Sequence, residues 1–174
     1  MNDRSPEYIR PLLVRIDRLM AERERVLVAI DGGSASGKTT LGELLQSIYA
    51  CPVFHMDDFF LRPEQRTPER FSEPGGNVDR ERFLSEVLLP LREGKTVDYR
   101  RFDCKTFTIA PPSRIEPGRL NIIEGAYAMH PDLAPYYDLT VFLAVSAEKQ
   151  RERILKRNAP AQAELFFDRW IPFE

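Results

Sequence analysis

Three groups of residues in this sequence have the types and spacing needed to handle a phosphate. The first is Gly32 to Thr39, GGSASGKT, which fits the pattern G-x-x-x-x-G-K-T. Glycines let a backbone curl until successive N–H groups point at one spot, and a helix beginning there adds partial positive charge. The expected contact set is Gly32, Gly33, Ser34, Ala35, Ser36 and Gly37, followed by Lys38, Thr39 and Thr40 at the helix start. Lys38 would meet the β- and γ-phosphates of a nucleoside triphosphate, and Thr39 would place its hydroxyl on the magnesium ion that bridges them. A glycine turn followed by a surface lysine is the plainer alternative.

The second group is acidic. Asp57 follows the short apolar run Pro52–Met56, and Glu124 follows the run Arg119–Ile123. Open parallel sheets take their ligands outside the carboxyl ends of the strands, where both acids would stand. Transfer of a phosphoryl group to an alcohol needs a group that positions or deprotonates the hydroxyl, and carboxylates that help hold magnesium. Asp57 is the candidate base and Glu124 the candidate metal residue. The alternatives are a strand or helix cap for Asp57 and an ordinary loop carboxylate for Glu124. The third group is Arg153 and Arg157, four apart and so on one face of a helix, able to clamp phosphates and neutralise transition-state charge. A solvated basic helix face is the alternative there.

These groups need elements to carry them. Val26–Ile30 is a buried strand leading into the glycine loop, and Leu41, Leu44, Leu45 and Ile48 form the apolar stripe of the helix that follows. Ahead of them, residues 6–24 read as an amphipathic helix, with Ser5 as N-cap and Pro6 at the first helical position. Its apolar face is Ile9, Leu12, Leu13, Ile16, Leu19 and Met20. The stretch from Leu61 to Asn77, rich in proline, glycine and charge, reads as a long loop, either a lid or binding loop or a disordered one. A helix from Asp79 to about Gly94 comes next, then a small hairpin of Thr96–Phe102 with Lys105–Ile109. Leu139–Val145 is a strand apolar enough for burial on both faces, and basic and final helices fall near 147–158 and 161–170.

Composition narrows the class. One domain fits 174 residues, and 43% hydrophobic with 30% charged residues is ordinary for a globular protein. A net charge of −2 gives no basic field for nucleic acid or an anionic membrane, and no apolar run approaches the ~20 residues of a membrane span. Two cysteines and two histidines, none at ligand spacing, suggest reduced thiols in a cytoplasmic protein and no metal beyond a nucleotide-borne magnesium.

The combination GGSASGKTT, MDDFF, NIIEGAYA and YDLTVFLAVSAEKQRERILKRN resembles the uridine kinase and phosphoribulokinase family of P-loop kinases, from about Val26 to Trp170. The resemblance implies an α/β P-loop NTPase fold, a parallel sheet with helices on both faces and a small β-hairpin insertion. It implies ATP and Mg²⁺, and transfer of the γ-phosphoryl to a small-molecule hydroxyl acceptor, a nucleoside first. The parts would be an N-terminal helix over 1–25, an acceptor-binding insertion over 57–118 and a lid helix over 147–160. Lys38, Asp57, Arg153 and Arg157 would be catalytic, Thr39 and Glu124 would serve the metal, and Asp79 would hold the acceptor's ribose hydroxyls. Phe102 and Phe107 stand nearest to where nucleoside kinases carry a tyrosine and a histidine that read the base, so an apolar pocket wall is expected there, with uridine and cytidine poor substrates. The alternative is that the two phenylalanines simply pack the small hairpin onto the sheet and other residues read the base. Arg157-Asn158 also replaces the usual Arg-Asp, and no fifth strand follows the last helix. The chain is then cut short, or its sheet is completed another way, including by a second copy in a homo-oligomer. Other alcohols (sugar phosphate, glycerate, pantothenate) keep the same reaction. A nucleotide switch or ATPase is the rival class, against which stands the lack of N-K-x-D and D-x-x-G motifs.

Overall fold

The structure is a computed structural model describing residue 7 and residues 9–173. Its strands are β1 (Val26–Gly32), β2 (Val53–His55), β3 (Val97–Tyr99), β4 (Phe102–Asp103), β5 (Thr108–Ile109), β6 (Ser113–Ile115), β7 (Leu120–Glu124) and β8 (Leu139–Leu143). The helices are α1 (Arg10–Glu22), α2 (Lys38–Tyr49), α3 (Pro68–Phe71), α4 (Arg80–Phe83), α5 (Leu89–Glu93), α6 (Ala147–Arg157) and α7 (Pro160–Leu165). Four parallel strands form the main sheet in the order β2-β7-β1-β8. Among the described residues no helix is long and apolar enough to cross a membrane.

Central strand β1 is buried along its whole length because both its faces are covered. Val26, Val28 and Ile30 face α1 and α2, in a cluster with Ile16, Leu41 and Leu45. Leu27 and Ala29 face the other way, into a cluster with Phe54, Phe59, Phe83, Leu88 and Leu91. Helices therefore flank both faces, as expected. The expected apolar face of the first helix packs on the sheet, while the expected cap at Ser5 and Pro6 lies outside the described residues. Ile48 departs from the expected stripe and is exposed at the far end of α2.

Three other expectations change. Strand β8 is an edge strand, paired only with β1, so its side chains alternate and Phe142 is 62% exposed where burial on both faces was expected. The segment from Leu61 to Asn77 is ordered locally. Its ends are tied by Leu61 N–H to Asn77 O (3.1 Å) and Asp79 N–H to Phe59 O (2.7 Å), and a 3₁₀ turn and α3 lie between. The hairpin is nested differently: β3 pairs with β6 on the outside, and β4 pairs with β5 within. The expected helix from Asp79 is present as α4 and α5, joined by a π-turn at Leu84–Leu88 just ahead of Pro90, which has no N–H to give the ladder.

Asp138 fastens the entry of β8 to the rest of the molecule. Its carboxylate is buried and accepts hydrogen bonds from Leu27 N (2.8 Å), Arg23 Nη1 (2.9 Å) and Arg92 Nη1 (3.1 Å), joining β1, the end of α1 and α5. Asp138→Ala would leave these donors unpaired and is expected to cost about 2–3 kcal/mol. Urea unfolding at pH 7 measures this. A loss under about 0.5 kcal/mol, the range of ordinary surface substitutions, would show that the carboxylate does not fasten the strand.

Candidate active site

Parallel pairing brings the carboxyl ends of β1, β2 and β7 to one rim, and α2 starts there. The first strand leaves the sheet at Gly32, where an added Cβ would stand 2.4 Å from Leu143 O of the neighbouring strand. Only glycine lets the loop begin so close to β8. Gly37 has φ +107° and caps α2, turning the chain so that the helix N-terminus faces the cleft. Across the loop, Lys38 Nζ donates to Gly32 O (2.7 Å) and Gly33 O (3.0 Å). The lysine is thus folded back on its own loop rather than extended into solvent.

The acids gather beside it. Glu124 is only 4% exposed, and its oxygens lie 3.3 and 3.4 Å from the Thr39 hydroxyl, which donates to them. His55 Nδ1 is 2.5 Å from Glu124 Oε1. That hydrogen bond raises the histidine pKa, opposed by its partial burial. Sequence spacing offers His55 no partner. The signal that finds it is strand register, since His55 and Glu124 are paired residues of β2 and β7. Asp57 lies on the 3₁₀ turn after β2, open to solvent but surrounded by the cleft walls. That desolvation raises its pKa, helped by the charges of Glu124 and Asp58, while Lys38 and His55 oppose the rise. Its neighbour Asp58 braces the fold instead. Asp58 is buried and accepts hydrogen bonds from Tyr99 Oη (2.8 Å) and Arg101 Nε (2.8 Å).

Helix α6, capped by Ser146, supplies the opposite wall. Arg153 Nη1 donates to Ala35 O (2.8 Å) and Ser36 O (3.4 Å), and Arg157 lies over the Phe166 ring. A cleft of about 930 Å³ runs through the site, and Lys38, Thr39, Asp57, Glu124, Arg153 and Arg157 all line it. Ser34, Ala35, Ser36, Gly37 and Thr40 of the loop line it as well. The residues fit a magnesium–nucleotide. Ser36 Oγ is buried with no hydrogen-bond partner inside the loop, and Thr39 with Glu124 presents the oxygen donors a hard cation takes.

Other expected contacts are not brought to this cleft. Asp79, 1% exposed, caps α4 by accepting from Arg82 N (3.1 Å) and sits beside Arg62 and Arg82. Phe102 on β4 is buried, edge-on to the half-exposed Phe107 with Arg66 over both rings. The two phenylalanines pack against each other and under Arg66, and neither lines the cleft. Phe60 of MDDFF and Tyr127 of NIIEGAYA, neither given a role by the sequence, form the end of the cleft near Asp57 with Asn77 and Val78.

The model of the phosphoribulokinase / uridine kinase family matches residues 27–161. Uridine kinase-like protein 4 of Arabidopsis thaliana is 27% identical over 146 residues, 79% of this chain, and the chain spans only 31% of that protein's length. A uridine kinase of Chloroflexus aurantiacus is 29% identical over 143 residues, 76% of this chain and 68% of its own. Among solved structures, a kinase assigned to a fructose transport system in Silicibacter sp. TM1040 superposes with TM-score 0.76 at 24% identity, covering 97% of this chain and 92% of that one, a likeness of fold. The phosphate loop, the paired acids at the strand ends and the family match agree, and the chain belongs to the phosphoribulokinase / uridine kinase family of ATP-dependent phosphotransferases.

Proposed function

We propose that this kinase transfers the γ-phosphoryl group of ATP to a hydroxyl of a small molecule, with a nucleoside as the leading acceptor. The observation that supports it best is Asp57, a carboxylate with a raised pKa in the same cleft as the phosphate loop. The uridine kinases among the relatives favour a nucleoside. The packing of Phe102 and Phe107 within the hairpin leaves a nucleoside open as acceptor.

In this reading the loop's N–H groups and Lys38 bind the triphosphate, with Lys38 exchanging the carbonyls of Gly32 and Gly33 for phosphate oxygens. Thr39 and Glu124 would hold magnesium, His55 fixing the orientation of Glu124 through its ring nitrogen. When bound, that ion neutralises charge on the phosphates. Asp57 accepts the proton of the acceptor hydroxyl as its oxygen bonds to the γ-phosphorus and the bond to the ADP oxygen breaks. Arg153 and Arg157 would meet the charge that develops on the transferred group. The discriminating experiment is ATP turnover with and without an added alcohol: a kinase consumes ATP only with an acceptor, whereas a switch hydrolyses slowly regardless.

Three variants check the roles. Lys38→Ala should lose nearly all phosphoryl transfer while melting within about 5 °C of wild type, because it gives up only hydrogen bonds to the loop. A much lower melting point, or most of the activity retained, would refute the assignment. His55→Ala should raise the magnesium concentration needed for half-maximal rate by about 10-fold, and an unchanged requirement would mean that the histidine does not hold Glu124 for the metal.

Asp57→Asn should lower kcat by about 10²–10⁴ with little change in KM for ATP. A raised folded-state pKa means that the ionised carboxylate costs the folded protein free energy, a cost absent below the unfolded pKa and complete above the folded one. The variant should therefore melt at or above wild type at pH 7, and the difference should vanish as pH falls through the carboxylate range. A destabilised variant with normal kcat would make Asp57 structural.

A further inference from the structure

The segment after β7 is held in a conformation that its sequence does not favour. Tyr127 has φ +66°, a left-handed backbone that a bulky residue adopts only where its surroundings impose it. Those surroundings are the buried carboxylate of Asp31, the residue just before the glycine loop. Asp31 Oδ1 accepts from Tyr127 N (3.1 Å) and Gly32 N (2.6 Å), and Oδ2 accepts from Met129 N (2.8 Å). Gly125 N–H is held by Ile30 O (3.1 Å), one residue earlier on β1. The turn is thus anchored at several points to the end of β1, and its strained backbone sets the direction of one aromatic side chain.

That side chain belongs to the end of the cleft near Asp57. Tyr127 lines the cleft there with Asn77, and the ring lies against Gly75, where an added Cβ would stand 2.9 Å from Tyr127 Cγ. A second residue with positive φ, this time a glycine, therefore makes room for the tyrosine from the facing loop. The charge at this end is also distinctive. Asp57, Phe60, Asn77, Val78 and Tyr127 include one carboxylate and no cation, whereas the lining cations Lys38, Arg153 and Arg157 stand on the phosphate loop and lid. Nearby arginines are engaged elsewhere: Arg66 on Leu61 O, Arg70 on Glu81, Arg80 on Asp132 and Arg101 on Asp58, while Arg169, beside Gly75, Asn77 and Tyr127, lies over the Phe71 and Trp170 rings.

We infer that Tyr127 is the acceptor-recognition residue of this cleft, that Asp31 is its positioning residue, and that the acceptor it reads is an uncharged hydroxylic molecule. The inference rests on the kinase reading above. An aromatic face beside an amide suits a ring or carbon chain bearing hydroxyls, whereas a phosphate or carboxylate on the acceptor would be set against Asp57, with Lys38 committed to the loop carbonyls and Arg169 to the Phe71 and Trp170 rings.

The test uses the full chain with magnesium–ATP and five probes: uridine, ribose and ribitol, against ribose 5-phosphate and glycerate. Wild type should transfer phosphate to a neutral probe with kcat/KM at least about 10-fold above either anion. Tyr127→Asn, which keeps a residue tolerant of the left-handed backbone, should fold normally and raise KM for the best neutral probe by about 10-fold or more. Its KM for ATP should stay within about 2-fold, a split that loss of structure would not produce. Asp31→Asn turns an amide N–H toward backbone N–H groups and should shift KM for the probe in the same direction. Should Asp31→Asn fail to fold, Gly75→Ala displaces the ring from the other side and should give the same split. Unchanged KM for the probe in Tyr127→Asn, or a wild-type preference for an anionic probe, overturns the inference. Wild type that binds ATP yet phosphorylates no probe with or without these changes refutes the kinase reading itself.

Discussion

Parallel pairing of β1 with β7 on one side and β8 on the other is the constraint on which the rest of the site depends. Register sets Ile30 beside Glu124 and Gly32 beside Leu143, so the strand that delivers the phosphate loop also fixes the buried carboxylate of Glu124 and the ceiling over the loop. Burial of β1 on both faces makes a slip costly, because moving one residue would exchange the two apolar faces and carry Asp31 out of its socket. Each of these cleft groups is then placed by where its strand stops: Asp57 and His55 after or at the end of β2, Glu124 at the end of β7, and Lys38 at the start of the helix that β1 feeds.

What was legible in the sequence follows the range of the interactions concerned. The glycine loop, the strand before it and the helix after it are local, and GGSASGKT carries them in eight consecutive residues. The parallel sheet was readable because a strand, a phosphate loop and a helix can be packed in few ways. The partner of His55 was not readable, since 69 residues separate it from Glu124 and only the pairing of β2 with β7 joins them. Hydropathy misjudged β8 for a similar reason. LTVFL is apolar on both faces, yet the strand sits at the sheet edge and leaves Phe142 in solvent.

Phe102 and Phe107 show a different limit. Their position in the chain suggested a pocket wall, but two aromatic residues in a short hairpin also have each other and Arg66 to bury against. Packing satisfied them locally, and the far end of the cleft was left to residues from the loop before α4 and the turn after β7. Neither contributor had a periodic pattern to announce it. What marks the turn is its backbone, a tyrosine at positive φ, which a sequence does not display.

The cations of the site are arranged so that binding a triphosphate is an exchange of partners. Lys38 rests on two loop carbonyls and Arg153 on two more, each charge held at the place where phosphate oxygens would arrive. The side chains have already lost much of their rotamer freedom, so the ordering cost of binding is partly met in the folded protein. The gain on binding is the difference between a neutral carbonyl and a charged phosphate oxygen as acceptor, and charge-assisted bonds are roughly twice as strong. The carbonyls released from Lys38 and Arg153 are backbone groups beside the cleft, where water can replace the lost donors. The same arrangement explains why Asp57 is left unneutralised. Lys38 lies near enough to oppose the rise in the pKa of Asp57, yet its ammonium is committed to the loop, so the carboxylate keeps a raised affinity for a proton, as the base proposed for it would need.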